Sequence, residues 1–351
     1  MIPALAIGRE LRDRHGAEVL FVGTARGLET RLVPEAGFRL ELVRSGQLKN
    51  VSLATRMRTA MDLPLGVVEC MRLLGAFRPQ VVVGVGGYAS GPGMLAAVLG
   101  RVPALAFEPN AVPGLANRLV GRWVSAAAVN FEQAQSYFRN ARVTGIPVRA
   151  EFFGIQPKTT GNPRLLVFGG SQGARVLNEA MPKVAGPLLE SVAELEILHQ
   201  TGARHGETTM KAYEAAGLTG DRFRGRLTVK RYIDDMPHEF AAADLILCRS
   251  GASTVAELAA AGKASLLVPF ALAADDHQRR NAEAFREAGA ARMLTETEVR
   301  DEDKLLVELR SLLGDRRALL AMGERARPLA HADAVGAIAE MVVRLGARAK
   351  V

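Results

Sequence analysis

Three turns in this sequence have the residue types and spacing to hold a phosphorylated ligand. Gly84-Val85-Gly86-Gly87-Tyr88-Ala89-Ser90-Gly91-Pro92-Gly93 follows the valine run Val81–Val83 and leads into a helical stretch at Met94–Leu99. Phe168-Gly169-Gly170-Ser171-Gln172-Gly173-Ala174 repeats that arrangement in the second half, ahead of a helix over Arg175–Ala180. Glycine permits positive φ and close backbone approach, while the free N–H groups and dipole at a helix start favour an anion. Gly86 and Gly87, and Gly169, Gly170 and Gly173, are therefore candidate phosphate-loop residues, with the Ser171 hydroxyl as an added donor. The third turn runs Cys248-Arg249-Ser250-Gly251 into Ala252-Ser253-Thr254-Val255-Ala256-Glu257. Its small residues leave room for phosphates, and a carboxylate one to two turns into the helix can accept both hydroxyls of a ribose. A single glycine turn is commonly just a chain reversal; two at equivalent positions, with the third, point to a phosphorylated ligand.

Other ligand chemistries fit less well. The Gly169 turn is not G-x-G-x-x-G, and the following strand ends His199-Gln200-Thr201 rather than with the acidic residue that binds an adenosine ribose, which disfavours NAD. No Walker A Gly-Lys-Ser/Thr occurs. The pairs Asp234-Asp235 and Asp275-Asp276 each precede an apparent helix (Pro237–Ala242 and His277–Glu287), where Asp commonly caps free N–H groups. The six histidines lack ligand spacing, so no metal and no cofactor is expected. Cys70 and Cys248 are too few and too far apart for a metal knuckle or a disulfide scaffold, which fits a reducing cytoplasm.

These turns need strands and helices to present them. Short β-branched runs alternate with amphipathic stretches along the 351 residues, the pattern of βαβ units and mostly parallel sheets. Strands are expected at Glu18–Val22, Arg39–Val43, Gln80–Val85, Ala104–Phe107 and Ala126–Asn130. A second series follows at Arg164–Phe168, Glu194–His199, Leu227–Tyr232, Leu245–Cys248 and Ala264–Val268. The longest intervening helix lies within Val51–Phe77. Two Rossmann-like domains result, residues 1–150 and 164–333, joined by a Gly- and Pro-rich linker at 151–163 and followed by an amphipathic helix at 334–351 that could return to the first domain. In open α/β sheets ligands bind beyond the carboxyl ends of the strands, so two facing domains would hold theirs in the cleft. With 48% hydrophobic and 23% charged residues the chain is an ordinary globular one. A net charge of +8 raises the prior for an anionic partner without choosing among nucleic acid, nucleotide, phosphate and lipid. The long uncharged run Pro79–Gly100 is broken by glycines in its middle, and no charged n-region followed by an apolar h-region opens the chain, so no cleaved signal peptide is expected and any membrane contact is expected to be peripheral.

Four segments together closely resemble the MurG family of glycosyltransferases, within glycosyltransferase family 28. They are Gly86-Gly87-Tyr88-Ala89-Ser90-Gly91-Pro92, Glu108-Pro109-Asn110-Ala111-Val112-Pro113-Gly114-Leu115-Ala116-Asn117-Arg118, Gly169–Ala174 and Arg249–Leu258, and the similarity runs from Pro3 to about Gly289. The resemblance implies a GT-B fold and inverting transfer of N-acetylglucosamine from UDP-GlcNAc to the 4-hydroxyl of the muramoyl sugar of lipid I, giving lipid II and UDP. It implies that Ile233 meets uracil through its backbone, that Glu257 binds the ribose, and that Ser171 and Arg149 bind the diphosphate. Gln278 would read the sugar hydroxyls, and Asn110 would approach the sugar from the first domain. The expected partners are UDP-GlcNAc, lipid I and an anionic membrane surface at the cytoplasmic face of the cell membrane, with no nucleic acid.

The sequence departs from the family in two places. Members open with a strand and a Gly-Gly-Thr-Gly-Gly-His turn thought to hold the acceptor diphosphate, and this chain joins the pattern just after that histidine. The expectation is that Met1 is an internal methionine and the native protein longer, because losing a central strand would leave its neighbours with unpaired backbone groups. Phe107 stands where the family commonly has His, leaving Glu108 as the candidate general base, or as a residue orienting the Asn110 loop. For membrane contact, Arg56, Arg58 and Arg72 mingle with Met57, Met61, Leu63, Leu65, Val67 and Leu73, a mixture suited to an interfacial patch or, for the apolar members, to a helix core. Two alternatives to the peptidoglycan enzyme are a GT-B transferase acting on diacylglycerol and a UDP-sugar-binding protein without catalysis.

Overall fold

The computed structural model describes residues 1–25, 27–45, 53–87, 90–170, 172–223, 225–273 and 276–348, with the backbone alone for 53–61. Contacts divide the chain into two compact units, one made of Met1–Pro147 with Asp333–Val351 and the other of Val148–Ala332.

The first unit opens with α1 (Ile2–His15), which has Pro3 in its first turn, where a missing N–H costs nothing, and ends on Gly16 in the left-handed conformation. It continues β1 (Leu20–Gly23), α2 (Glu29–Glu35), β2 (Arg39–Leu42), α3 (Leu53–Phe77), β3 (Val82–Gly84), α4 (Ser90–Leu99), β4 (Ala104–Glu108), α5 (Leu115–Val120), β5 (Ala126–Val129) and β6 (Ala141–Val143). All pairings are parallel, as the strand–helix alternation predicts. Every residue of β4 is buried, because helices cover both faces of the sheet and its neighbours flank it. Met94, Ala97, Val120 and Val129 pack around it. The strands form two sheets, β1-β2 and β3-β4-β5-β6, and no strand pair joins them. One edge of β1 and one edge of β3 thus lack a strand partner among the described residues.

The second unit runs α6 (Ala150–Phe153), β7 (Arg164–Phe168), α7 (Arg175–Ser191), β8 (Glu196–Gln200), α8 (Gly206–Ala215), β9 (Leu227–Lys230), α9 (Met236–Ala242), β10 (Leu245–Cys248), α10 (Ala252–Ala261), β11 (Ala264–Leu267), α11 (His277–Glu287), β12 (Arg292–Met293), α12 (Glu296–Arg300), α13 (Glu302–Leu313) and α14 (Arg316–Ala326). Its parallel sheet has the order β12-β11-β10-β7-β8-β9. β10 and β11 are buried throughout and read as unbroken hydrophobic runs for that reason. Helix α15 (Ala334–Arg348) packs against α1 in the first unit.

The stretch 151–163, expected as a linker, is instead packed onto the second unit. Phe152 is fully buried with its ring 5.0 Å from that of Phe240, and Ile155 is buried as well. Lys158 pairs with Asp244 at 2.6 Å, and Arg316 donates to the carbonyls of Thr160 and Gly161. Glycine and proline content suggested a tether, but two apolar side chains and a buried carboxylate fasten the segment down.

Candidate functional site

In the second unit the chain winds outward from β7 in one direction and from β10 in the other, and these two strands are neighbours. That is the topological switch point of a doubly wound sheet, where loops diverge and leave a crevice at the carboxyl ends of the strands. Two of the three turns singled out from the sequence emerge there. Gly169–Ala174 leaves β7 for α7, and Arg249–Gly251 leaves β10 for α10.

Neither helix start is closed by the side chain of its own N-cap residue. The N-cap of α7 is Ala174 and that of α10 is Gly251, and neither makes a side-chain cap hydrogen bond. The first-turn N–H groups have no intrahelical partner by geometry, so two helix dipoles end in uncapped donors on adjacent strands. Ala252, Ser253 and Thr254 form the first turn of α10, while Val255 and Ala256 face inward and are buried. The Gly169 turn is seated against the end of β8. Gly173 has φ 77°, and a Cβ there would run into the carbonyl of Thr201; Gly202, with φ 78°, is pressed in turn against Gln172 and Gly173. Ser171 lies outside the described residues, as do Tyr88 and Ala89 of the first turn.

The third turn is braced from below. Arg249 donates to the carbonyls of Val268 and Pro269 at 3.1 Å each, pairs with Glu296 at 2.7 Å and lies over the Phe270 ring. Buried Ser250 donates to the backbone carbonyl of Gln278 at 2.8 Å, and buried Asn281 donates back to the carbonyl of Ser250. These bonds hold the start of α11 beside the start of α10. The Gln278 side-chain oxygen accepts from the Phe270 N–H at 3.1 Å. Glu257 sits mostly buried on α10, and burial pushes its carboxyl up to about 7, with Arg149 opposing the rise. Arg149 is exposed, over the Phe152 ring at 5.0 Å, and close enough to Glu257 for its charge to be felt. Cys248, at the end of β10, is buried, which raises its pKa, and the Glu257 carboxylate adds to that rise.

Ile233, expected to meet uracil through its backbone, has a buried side chain, and its N–H donates to the side-chain oxygen of Gln200 at 2.9 Å. Gln200 projects from the end of β8, the neighbouring strand, and takes the donor.

In the first unit, Gly86 and Gly87 lie in the turn after β3, where the Ser90 hydroxyl donates to the Gly86 carbonyl at 2.6 Å. Glu108, at the end of β4, is 2% exposed, and both of its oxygens are engaged. One accepts from the N–H and the side-chain amide of Asn110 at 3.0 and 3.1 Å. The other accepts from Gly114 N at 3.1 Å and the Asn117 amide at 2.9 Å. A general base needs a lone pair aimed at the acceptor. Here four donors from its own loop occupy the carboxylate, the geometry of a loop organiser.

Among the described residues no group of three or more His, Cys, Asp or Glu could hold a metal ion. Asp235 caps α9, accepting from His238 N at 3.1 Å. Asp276 departs from the capping expectation. Its backbone is left-handed with φ 56°, it makes no side-chain cap bond, and it stands 4.0 Å from Arg279 instead. On α3, Val67 and Leu73 turn into a core cluster, whereas Leu65, Val68 and Met71 are 46, 45 and 47% exposed at helical spacing, with Arg72 exposed beside them. The side chains of Arg56, Met57, Arg58 and Met61 lie outside the described residues. No helix among the described residues is long and apolar enough to cross a membrane.

Sequence reasoning missed Gln200, Asn117 and the bracing pair Arg249–Glu296. Gln200 and the Arg249–Glu296 pair act across elements distant in sequence, whereas Asn117 acts within the segment that follows Glu108, and the one local hint was polar residues placed inside otherwise apolar segments.

The glycosyltransferase family 28 N-terminal domain matches residues 1–129, and the glycosyltransferase family 28 C-terminal domain matches residues 164–338. The chain is 44% identical to the UDP-N-acetylglucosamine--N-acetylmuramyl-(pentapeptide) pyrophosphoryl-undecaprenol N-acetylglucosamine transferase of Solibacter usitatus (strain Ellin6076), over 97% of this chain and 92% of that protein. It is 42% identical to the protein of the same name from Anaeromyxobacter sp. (strain K), over 98% and 90%. Among solved structures it is similar to the crystal structure of Acinetobacter baumannii MurG, with TM-score 0.78 and 30% identity, covering 97% of this chain and 95% of that one.

Proposed function

Because the chain belongs to glycosyltransferase family 28, we propose that its second unit grips the nucleotide diphosphate of UDP-GlcNAc between the starts of α7 and α10. The protein is a GT-B enzyme of peptidoglycan synthesis that transfers N-acetylglucosamine from UDP-GlcNAc to the lipid-linked muramoyl-pentapeptide, giving lipid II and UDP. The observation that most favours the proposed site is the pair of uncapped helix starts on adjacent strands at the switch point.

In the reaction the acceptor 4-hydroxyl attacks C1 of the sugar, the C1–O bond to the diphosphate breaks, the hydroxyl proton leaves to a base, and the configuration at C1 inverts. Negative charge grows on the departing diphosphate. Donors already aimed at that charge stabilise the transition state without reorganising. In this reading the first-turn N–H groups of α7 and α10 and the Arg149 guanidinium supply them, with Ser171 added by family resemblance. Glu257 accepts from the ribose hydroxyls, which requires it ionised. Gln278 reads the sugar from the start of α11. Because the Ile233 N–H is engaged by Gln200, its carbonyl is left as the backbone group to accept from uracil. Asn110 is assigned to the sugar by family resemblance, and Glu108 to holding the Asn110 loop.

A lipid-linked acceptor favours a reaction carried out at a membrane surface. The exposed Leu65, Val68 and Met71 beside Arg72 support peripheral contact with an anionic bilayer, the apolar residues entering the interface and the guanidinium meeting lipid phosphate. In this reading the enzyme works on the cytoplasmic face, where the nucleotide sugar is available.

The test is transfer of labelled GlcNAc to lipid I, paired with calorimetric titration of UDP against ADP. Transfer together with preference for UDP is the expected result. Equal affinity for the two nucleotides would overturn the site.

A further inference from the structure

Gln200 is 2% exposed at the carboxyl end of β8, between the strands that carry the two halves of the nucleotide site. Its side-chain amide is used at both ends. The nitrogen donates to the carbonyl of Gly170, in the turn after β7, at 3.1 Å; the oxygen accepts from the N–H of Ile233, in the segment after β9, at 2.9 Å. One planar group thus spans two loops that do not neighbour each other in the sheet. The surroundings hold it still. The Gly173 and Gly202 backbones are in contact, and the Asn178 amide donates to the Thr201 carbonyl at 2.9 Å. Asn178 is itself held by His199 at 3.0 Å, whose other ring nitrogen meets the Tyr213 hydroxyl at 2.8 Å. His199 and Tyr213 are fully buried, and burial holds the imidazole down to about 3, so it stays neutral.

We propose that Gln200 is a positioning residue that sets the spacing between the loop for the diphosphate and the loop for the base, so that a nucleoside diphosphate engages both at once. This rests on the assignment of those two loops to UDP. A ligand bridging two subsites gains affinity only while the subsites keep the separation the ligand spans. A buried amide that can donate to one loop and accept from the other fixes that separation. Glutamine is the side chain that does this without charge; a methionine of similar volume fills the space and ties neither loop.

The experiment compares the ratio of UDP to uridine affinity in the full chain and in two variants. Gln200→Met removes both bonds. Leu198→Ala opens a cavity two residues earlier on the same strand, at a buried position that touches neither hydrogen bond. In Leu198→Ala the melting temperature is expected to fall while the UDP:uridine ratio stays that of the unaltered chain. In Gln200→Met the ratio is expected to shrink about tenfold or more, the scale of one lost geometric constraint, with uridine affinity changing less than UDP affinity. Turnover should show a raised KM for UDP-GlcNAc with a smaller change in kcat. Should Gln200→Met fail to fold, Gln200→Asn, too short to reach both loops, takes its place. An unchanged ratio in the Gln200 variant, or an equal drop in Leu198→Ala, overturns the proposal. An unaltered chain that binds ADP as well as UDP overturns the site beneath it instead.

Discussion

The ionisation of Glu257 should make sugar-nucleotide binding depend on pH between about 6 and 8. Burial raises its carboxyl to about 7, so the free site holds the carboxylate about one tenth ionised at pH 6 and about nine tenths at pH 8. If the ribose hydroxyls donate to the ionised form alone, affinity rises about tenfold over that interval, or roughly 1.4 kcal/mol. UDP-GlcNAc is the ligand to use, because its diphosphate is esterified at both ends and does not titrate there, whereas free UDP does. Isothermal titration at pH 6, 7 and 8 reads the slope, and Glu257→Gln, which cannot ionise, should give a flat profile with weaker binding at pH 8. The same shift bears on stability with a definite sign. A carboxyl raised on folding contributes stability that is present below its unfolded value near 4.5 and is lost as the pH rises through about 7. The ligand-free chain should therefore lose up to about 3 kcal/mol between those limits relative to Glu257→Gln, an upper bound because the side chain is not wholly enclosed. Affinity that stays constant from pH 6 to 8, or that rises equally in Glu257→Gln, would refute both the raised carboxyl and its ribose role.

Three further expectations follow from the packing. Gly173→Ala places a Cβ against the Thr201 carbonyl at a φ of 77°, and should cost on the order of 1 to 3 kcal/mol in denaturant unfolding while weakening UDP binding more than uridine binding. Phe152→Ala empties a fully buried site against Phe240 and should cost about 3 to 5 kcal/mol, read as a lowered unfolding midpoint; a cost under about 1 kcal/mol would mean the 151–163 stretch is a tether after all. Replacing Leu65, Val68 and Met71 together by serine should weaken binding to vesicles containing anionic lipid while leaving UDP affinity unchanged, with Arg72→Ala chiefly reducing the salt dependence.

What the sequence could and could not disclose divides along chain locality. The strand–helix alternation is written in each segment's own residues, and so the parallel sheets, the glycine turns at strand ends and the cap at Asp235 were legible. Strand order is not local, yet it decides which turns meet. Only the order β10-β7-β8-β9 shows that the Gly170 turn and Ile233 flank the same strand, and hence that Gln200 can reach both. The linker was misread for a related reason. Gly154, Pro157, Gly161 and Pro163 speak of local backbone, while the burial of Phe152 depends on Phe240, far along the chain.

Glu108 shows how the same limit affects a catalytic assignment. By type and position it is the ionisable group nearest Asn110, and proximity in sequence made it the candidate base. The fold turns the loop Asn110–Asn117 back over the end of β4, so that four donors converge on the carboxylate. Taking up the acceptor's proton would break that convergence and release the loop it holds, at a cost of about 1 to 3 kcal/mol for each donor left buried and unpaired. A base coupled to the unfolding of its own loop is a poor one. The four donors thus favour the carboxylate as the anchor that keeps Asn110 in place over its role as the base.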